Sequence, residues 1–453
     1  MYSVKLIFFN KKMKNIRSIK LDADNIIIAM LSSAVIGVAI SYGDLYLFHV
    51  LLGCLFITWL YRFKQDRYQF NFETITENYI FFLTIMFIWY LFSLFWSLDT
   101  QLALKYIFYI FCGLIITLNI VGFSFSIDRL NKIFKTLSFF FVLQLLIALL
   151  ESFTIFRMPI SSYSSFSSYF GKEEIDSFVS NNILLTTSFV PPTGFHWNTN
   201  NLGIAMLITL PFFLCSNKMI YKLFGVISIT AITIMTASRA VFLGLIIIYC
   251  LYLIIIKKRV GTLFFIWIST ISLFWGMNQL SDSEDPRVNE VANTIKALSL
   301  YIQGDIDIGG SIAWRRELVD NGLEGLSKTY GLGLGAGGST ANQEQLGPVA
   351  GQFTSMHNFW VELLVEGGII FAVLGALWYG SIVYNLFIIS KTNTNSILKY
   401  YSESLFLSMI SFIPAAIAAS STIYFFPMWI MFGMAIAVIS LYKKQSVVKI
   451  KNN

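Results

Sequence analysis

Two arginines and a histidine stand out because their local sequence does not account for them. Arg239 sits in Thr236-Ala237-Ser238-Arg239, between two apolar runs joined by almost no loop. An arginine beside lipid costs free energy unless it finds a partner, and no acidic residue lies near it in sequence. Two readings follow: a guanidinium snorkelling to the interface, or one that meets an anion from outside the chain. Arg315 and Arg316 open a helix-like piece from Trp314 to Ser327. Glu317, Asp320 and Glu324 could pair with them at helical spacing. Against that pairing, the helix dipole disfavours cations in a first turn unless an anion holds them there, and guanidinium is the group that grips phosphate through two parallel hydrogen bonds.

His357 is one of only 3 histidines. In Ser355-Met356-His357-Asn358 the serine suits an N-cap, which would set His357 in the first turn of a helix. There the dipole would keep the imidazole neutral, the form a general base requires. The alternative is a histidine making a structural bond at the interface. Asn358, Glu362 and Glu366 recur every four residues, a polar stripe on an otherwise apolar helix that should face a cavity or a neighbouring helix. Gly331 to Gly338 contains a formal GxGxxG at Gly333, Gly335 and Gly338, but no strand-turn-helix unit surrounds it and no Walker lysine follows, so a dinucleotide reading fails. Either it is a flexible loop, or its backbone comes close to a bulky ligand with amides turned toward an anion. There is no HExxH, no nucleophile elbow and no Cys/His cluster, so no metal or covalent mechanism is supported, and no cofactor is expected.

The elements that must position these residues are membrane helices. Of 453 residues, 56% are hydrophobic and 13% charged, against roughly 25% charged in soluble domains. Mean hydropathy is +0.69. The 43 Phe and 22 Tyr suit lipid-facing helices and interfacial belts. Soluble, disordered, collagen-like and nucleic-acid-binding classes are excluded. The cysteines all fall inside apolar runs, which leaves no disulfide framework.

With about 20 apolar residues per crossing, the sequence predicts an all-α polytopic membrane protein of about twelve spans. They lie near 24-41, 44-61, 78-97, 103-121, 134-150, 199-215, 222-237, 240-256, 261-280, 367-389, 403-421 and 423-441. Most of the 32 Lys and Arg fall in the N-terminal tail (1-23), around Arg62, Arg129, Lys218, Lys257 and Lys391, and in the C-terminal tail (442-453). All of these lie on one side if both tails are cytoplasmic, so the net charge of +7 is largely a topology signal. The expected organisation is helices 1-9 over 24-280 with an outer loop at 151-198, a large outer loop at 281-366, and helices 10-12 over 367-441. Function is expected in the outer loops, because connections this long are commonly functional.

In this order the pieces resemble the O-antigen ligase and Wzy-type polysaccharide polymerase superfamily. The stretches that carry the resemblance are Leu94 to Asp99, Gly194 to Asn201, Ser238-Arg239, Arg315 with Asn321-Gly322 leading into Gly331 to Gly337, and His357-Asn358 followed by Glu362, Glu366 and Gly367. Ala148-Leu149-Leu150-Glu151, Met158-Pro159 and Ser161-Ser162-Tyr163 make the chain most similar to Gram-positive teichuronic-acid and capsule polymerases. Two departures stand: Asn198-Thr199-Asn200 replaces the usual Asn-Pro-Asn, and Arg316 doubles an arginine where one is required.

The resemblance implies a class C glycosyltransferase-like fold in the cytoplasmic membrane. It implies an enzyme that polymerises or ligates undecaprenyl-diphosphate-linked glycan onto a glycan acceptor at the outer face, without a metal, beside a flippase and a chain-length regulator. Carried over by position, Arg239, Arg315 and His357 are catalytic, while Arg316, Asn198, Asn200, Asn358, Glu362 and Gly335 meet substrate. The competing class is a lipid-linked oligosaccharide flippase or other transporter. That class should scatter polar residues through span centres, which here are nearly free of them.

Overall fold

Apolar runs without interior breakers form helices in lipid, where each backbone polar group must be satisfied within its own segment. The computed structural model describes residues 23–63, 74–172, 191–236, 238–259, 311–347, 349, 354–419 and 423–452. They fold into α1 (Ala23–Ile36), α2 (Leu47–Phe63), α3 (Thr74–Phe92), α4 (Thr100–Phe123), α5 (Ile127–Phe153), α6 (Thr199–Leu214), α7 (Met219–Met235), α8 (Arg239–Leu251), α9 (Ser311–Lys328), α10 (Gly338–Leu346), α11 (Phe359–Gly367), α12 (Ile369–Thr392), α13 (Ser396–Ala415) and α14 (Phe426–Asn452). A two-residue hairpin, β1 (Ser41–Tyr42) with β2 (Leu45–Tyr46), pairs Ser41 with Tyr46 and Tyr42 with Leu45 between α1 and α2.

Every expected span except the ninth coincides with one of these helices; the ninth, 261-280, and the helix-like piece Val288 to Leu300 lie outside the described residues. Six of the helices are long and apolar enough to cross a membrane. The chain is an all-α polytopic membrane protein. Its packing follows the bilayer as solvent. α4 and α14 run through the middle, where Gly113 leaves room for the Trp429 ring and Gly433 for Ile120. α3 and α12 instead present Phe81 and Ile370 outward at 63% and 78% exposure, side chains suited to acyl chains. A second seam joins α13 to α6, where Ser404 and Ser408 donate to the Pro211 and Ile208 carbonyls at 3.4 and 2.7 Å. Such hydrogen bonds and close contacts of small residues hold helices together where no hydrophobic force can.

α9, α10 and α11 form a separate small unit with its own core of Leu318, Leu334, Val349, Met356 and Val365. The glycine run ties it down. Gly331, Gly333, Gly335 and Gly337 all take positive φ, from +66° to +98°, a region that residues with a Cβ avoid. The run lies along α11: the Leu334 and Gly335 amides donate to the Val365 and Glu366 carbonyls at 2.8 and 3.0 Å. A Cβ on Gly333 would stand 2.4 Å from the Glu366 carbonyl oxygen. From the end of α3, the Trp96 indole donates to the Gly333 carbonyl at 3.1 Å and Ser93 Oγ accepts from the Ala336 amide at 3.0 Å. The Leu94 to Asp99 stretch therefore docks the glycine run onto the bundle, and Asp99 caps α4 by accepting from the Leu102 amide.

The other loop is anchored by one carboxylate. Glu151, buried near the end of α5, accepts from the amides of Met158, Thr193 and Gly194 at 3.0, 2.8 and 2.6 Å. This holds the chain on both sides of the loop and delivers it to the start of α6.

Candidate active site

Three helix beginnings and one helix end meet at the loop-rich end of the bundle. Arg239 is the first residue of α8, directly after its N-cap Ser238. Its Nη1 is buried and hydrogen-bonds nothing among the described residues. Arg315 lies in the second turn of α9, half-buried. Burial, and then the nearby charge of Arg239, hold the Arg315 guanidinium below its usual range. Neither arginine has a carboxylate at ion-pair distance among the described residues. Two like charges brought together without a counter-ion repel, and an incoming anion would relieve that repulsion.

His357 completes the cluster. Burial first, then the Arg315 charge, hold its imidazole down at about 4, opposed by a hydrogen bond to the backbone of Ala418 just beyond α13. At neutral pH the ring is therefore uncharged. Its backbone is left-handed, with φ at +49°. Few residues other than Gly occupy that region, His, Asn and Asp more often than the rest, and residues held there cluster at functional sites.

The helix boundary expected from the sequence is corrected here. Asn358, rather than Ser355, caps α11: its side-chain oxygen accepts from the Trp360 and Val361 amides at 3.2 and 3.4 Å. Asparagine is as good a cap as serine, and a cap at 358 frees the preceding residue to turn. His357 thus stands just before the helix rather than in its first turn, and burial beside Arg315, rather than the dipole, keeps it neutral.

The two neighbouring arginines divide. Arg316 points to solvent and pairs with Asp320 at 3.8 Å, both side chains about two-thirds exposed. The expected pairing with the helix's own acids is thus made by Arg316, one position round the helix from the half-buried Arg315. Asn198 caps α6, accepting from the Asn200 and Asn201 amides at 2.7 and 3.3 Å. It also lines a cavity separate from the three-residue cluster. Gly335 spends its amide on the Glu366 carbonyl, and what lies against it is Ser93. The close backbone approach expected of this glycine is made to the protein itself.

Glu362 and Glu366 do face inward, each 1% exposed. Ser339 Oγ donates to Glu366 Oε1 at 2.7 Å, and burial raises the Glu366 carboxyl. Tyr90 and Tyr106 lie within electrostatic reach of both acids. Tyr106 also meets Thr340 at 3.3 Å. Tyr106, Ser93 and Ser339 were not singled out from sequence, since an isolated tyrosine or serine gives no spacing signal. Among the described residues no group of His, Cys, Asp and Glu could hold a metal ion.

Residues 224–376 match the family described as O-antigen ligase. The match takes in Arg239, Arg315, the glycine run, His357 and the buried acids of α11. No curated protein matches the chain.

Proposed function

Taking as premise that the chain belongs, through residues 224–376, to the O-antigen ligase superfamily of membrane enzymes acting on polysaccharide, we propose that it transfers a glycan from a polyprenyl diphosphate to an acceptor hydroxyl. Arg239 and Arg315 bind the diphosphate. The acceptor oxygen attacks the anomeric carbon, the bond from that carbon to the phosphate oxygen breaks, and the electron pair stays on the leaving diphosphate. Guanidinium groups preorganised beside developing charge speed such steps by about 10²–10³ per donor lost or gained. The acceptor's proton passes to His357, general base catalysis being worth roughly 10²–10⁴.

The observation that carries this reading is the convergence of two half-buried arginine side chains, without a carboxylate partner among the described residues, on a neutral histidine held at positive φ. The same arrangement offers a reason for a pKa as low as about 4 in a base. A bound diphosphate would cancel the Arg315 charge and raise the imidazole toward the working pH at the moment a base is needed. With the two arginines supplying the positive charge, the proposed reaction requires no divalent cation.

The test is transfer by purified protein from a lipid-linked repeat unit in the presence of a chelator. Arg239→Ala, Arg315→Ala and His357→Ala should each lose at least about 10²-fold in rate while still reaching the membrane. Normal polymer from all three would overturn the assignment. A ladder of lengthening products fits a polymerase, and single capping of an added acceptor fits a ligase.

A further inference from the structure

A cavity of about 290 Å³ lies apart from the arginine–histidine cluster, at the same end of the bundle. Its walls come from the end of α1 and the turn after it, the β1–β2 hairpin, the first turns of α4, the loop end at Lys172, the turn before α6 and the start of α14. Tyr106 joins it to the buried acids of α11, since it lines this cavity and contacts Thr340, the neighbour of the serine that donates to Glu366. In size the cavity falls at the lower end of small-ligand pockets, about 300–1,000 Å³, room for one or two sugar rings.

Its lining is unusual for a membrane helical bundle. Tyr46 and Trp197 line it beside Tyr106, Tyr109 and Tyr424, one face of Tyr46 being stacked on His49, and such amphipathic rings stack well on the apolar C–H faces of sugars. Two side chains at least nine-tenths buried, His196 and Asn201, line it, and His196 Nε2 and Asn201 Oδ1 have no hydrogen-bond partner among the described residues. Orphaned polar atoms of this kind cost free energy until a ligand satisfies them. Both atoms are sealed off in the structure, so a rotation of either side chain would bring it to a sugar hydroxyl, which both donates and accepts.

The charge is asymmetric. Lys105 is bonded to Asp44 at 2.7 Å, whereas Lys172 forms no ion pair among the described residues. Lys172 donates to the Gly43 carbonyl at 2.6 Å, and its ammonium lies 5.6 and 6.0 Å from the Tyr46 and Trp197 rings. Two ammonium groups against one carboxylate leave a net positive rim beside stacking rings. Burial lowers the Lys172 pKa, opposed in part by Asp44, so an added anion would stabilise its charged form.

We propose that this cavity is a second subsite of the enzyme, which holds an anionic hexose of the glycan substrate with its ring against Trp197 and Tyr46 and its negative group on Lys172 and Lys105. The naming of a sugar rests on the transfer reading above; the positive rim and the orphaned atoms do not. The negative group is a carboxylate or a phosphate ester, and both present the same oxygens to a lysine pair.

Direct binding to the full-length protein in nanodiscs tests it, by calorimetry with three disaccharides: one carrying glucuronic acid, its neutral glucose counterpart, and that counterpart as its 6-phosphate. At least one anionic disaccharide should bind about tenfold or more tighter than the neutral one, the worth of one charge-assisted hydrogen bond. A preference confined to the glucuronyl compound identifies a carboxylate, and one for the phosphate identifies a phosphoryl sugar. Lys172→Met and Lys105→Met should each erode that preference while neutral binding persists, and Trp197→Ala should weaken all three ligands. Equal affinity for all three, or no binding, overturns the proposal. Transfer is measured on the same preparation: polymer formation without anionic preference sinks this subsite alone, whereas anionic preference without any transfer sinks the function and leaves the subsite.

Discussion

At the scale of single residues, the sequence supplied the kinds of group and the structure sorted them. Arg315 and Arg316 are adjacent, and composition cannot choose between them. Successive helical positions point about 100° apart, and here one turns toward Arg239 while the other reaches Asp320 in solvent. Arg316→Ala is accordingly expected to stay within about twofold of wild type in transfer rate, since exposed ion pairs contribute roughly 0–1 kcal/mol; a loss as deep as that of Arg315→Ala would reverse the two roles. His357 yields a prediction in pH. Its lowered pKa of about 4 means that the ring is neutral above that pH and gains a proton, and loses its capacity as a base, as pH falls through it. For kcat/KM, which reports the free enzyme, the acidic limb should lie near 4. For kcat, which reports the complex, the limb should sit at higher pH, because the bound diphosphate opposes the Arg315 charge. Coincident limbs, or a kcat limb at lower pH, would contradict the proposed order of events. The low pKa itself was not legible in the sequence, for it arises from burial and from a charge 42 positions away along the chain.

Among elements, helices were legible where a single run of residues decides them. The expected piece Trp314 to Ser327 falls inside α9, Ser311–Lys328, and the stripe Asn358, Glu362, Glu366 lies on α11 with both acids buried. Contacts between distant stretches were not legible. The Trp96 indole and the Gly333 carbonyl are 237 positions apart, and no local rule couples them. The glycine run is a test case, because its spacing suggested a ligand loop while its amides and close approaches are spent on α11 and α3. Gly333→Ala should therefore act on folding: a Cβ 2.4 Å from the Glu366 carbonyl, at a φ of +98°, costs on the order of 3 kcal/mol or more. Thermal unfolding should show a lowered midpoint, with Gly380→Ala, where nothing lies within 4 Å, as the unchanged control. An unaltered midpoint with lost donor binding would return the run to a ligand role.

For the whole molecule, the positions of the described helices followed from hydrophobic length, because a bilayer leaves few other ways to bury such runs. Basic residues gave an expected orientation and, by exception, a hint of function. Arg239, Arg315, Lys105 and Lys172 are among the few that fall outside the basic clusters behind that expectation, and they line the candidate active site and the second cavity. The cavity itself was invisible, since six separate segments build it. Orientation can be checked with a membrane-impermeant thiol reagent on intact cells, in a cysteine-free background. Ser165→Cys, on the loop after α5, should react, and Lys258→Cys, beyond α8, should react only after permeabilisation. The opposite pattern would put the arginine–histidine cluster on the cytoplasmic side.

The serine seam between α6 and α13 has a consequence at a distance. The Ala416 carbonyl, at the top of α13, accepts from the Phe359 amide at 3.1 Å, and Ala418 holds the imidazole, so the height of His357 is inherited from how α13 is stitched to its neighbour far below. One helical turn is about 5.4 Å, greater than any proton can jump. Cutting those two stitches could thus silence the enzyme from within the hydrocarbon, by lowering a base beneath the hydroxyl it serves.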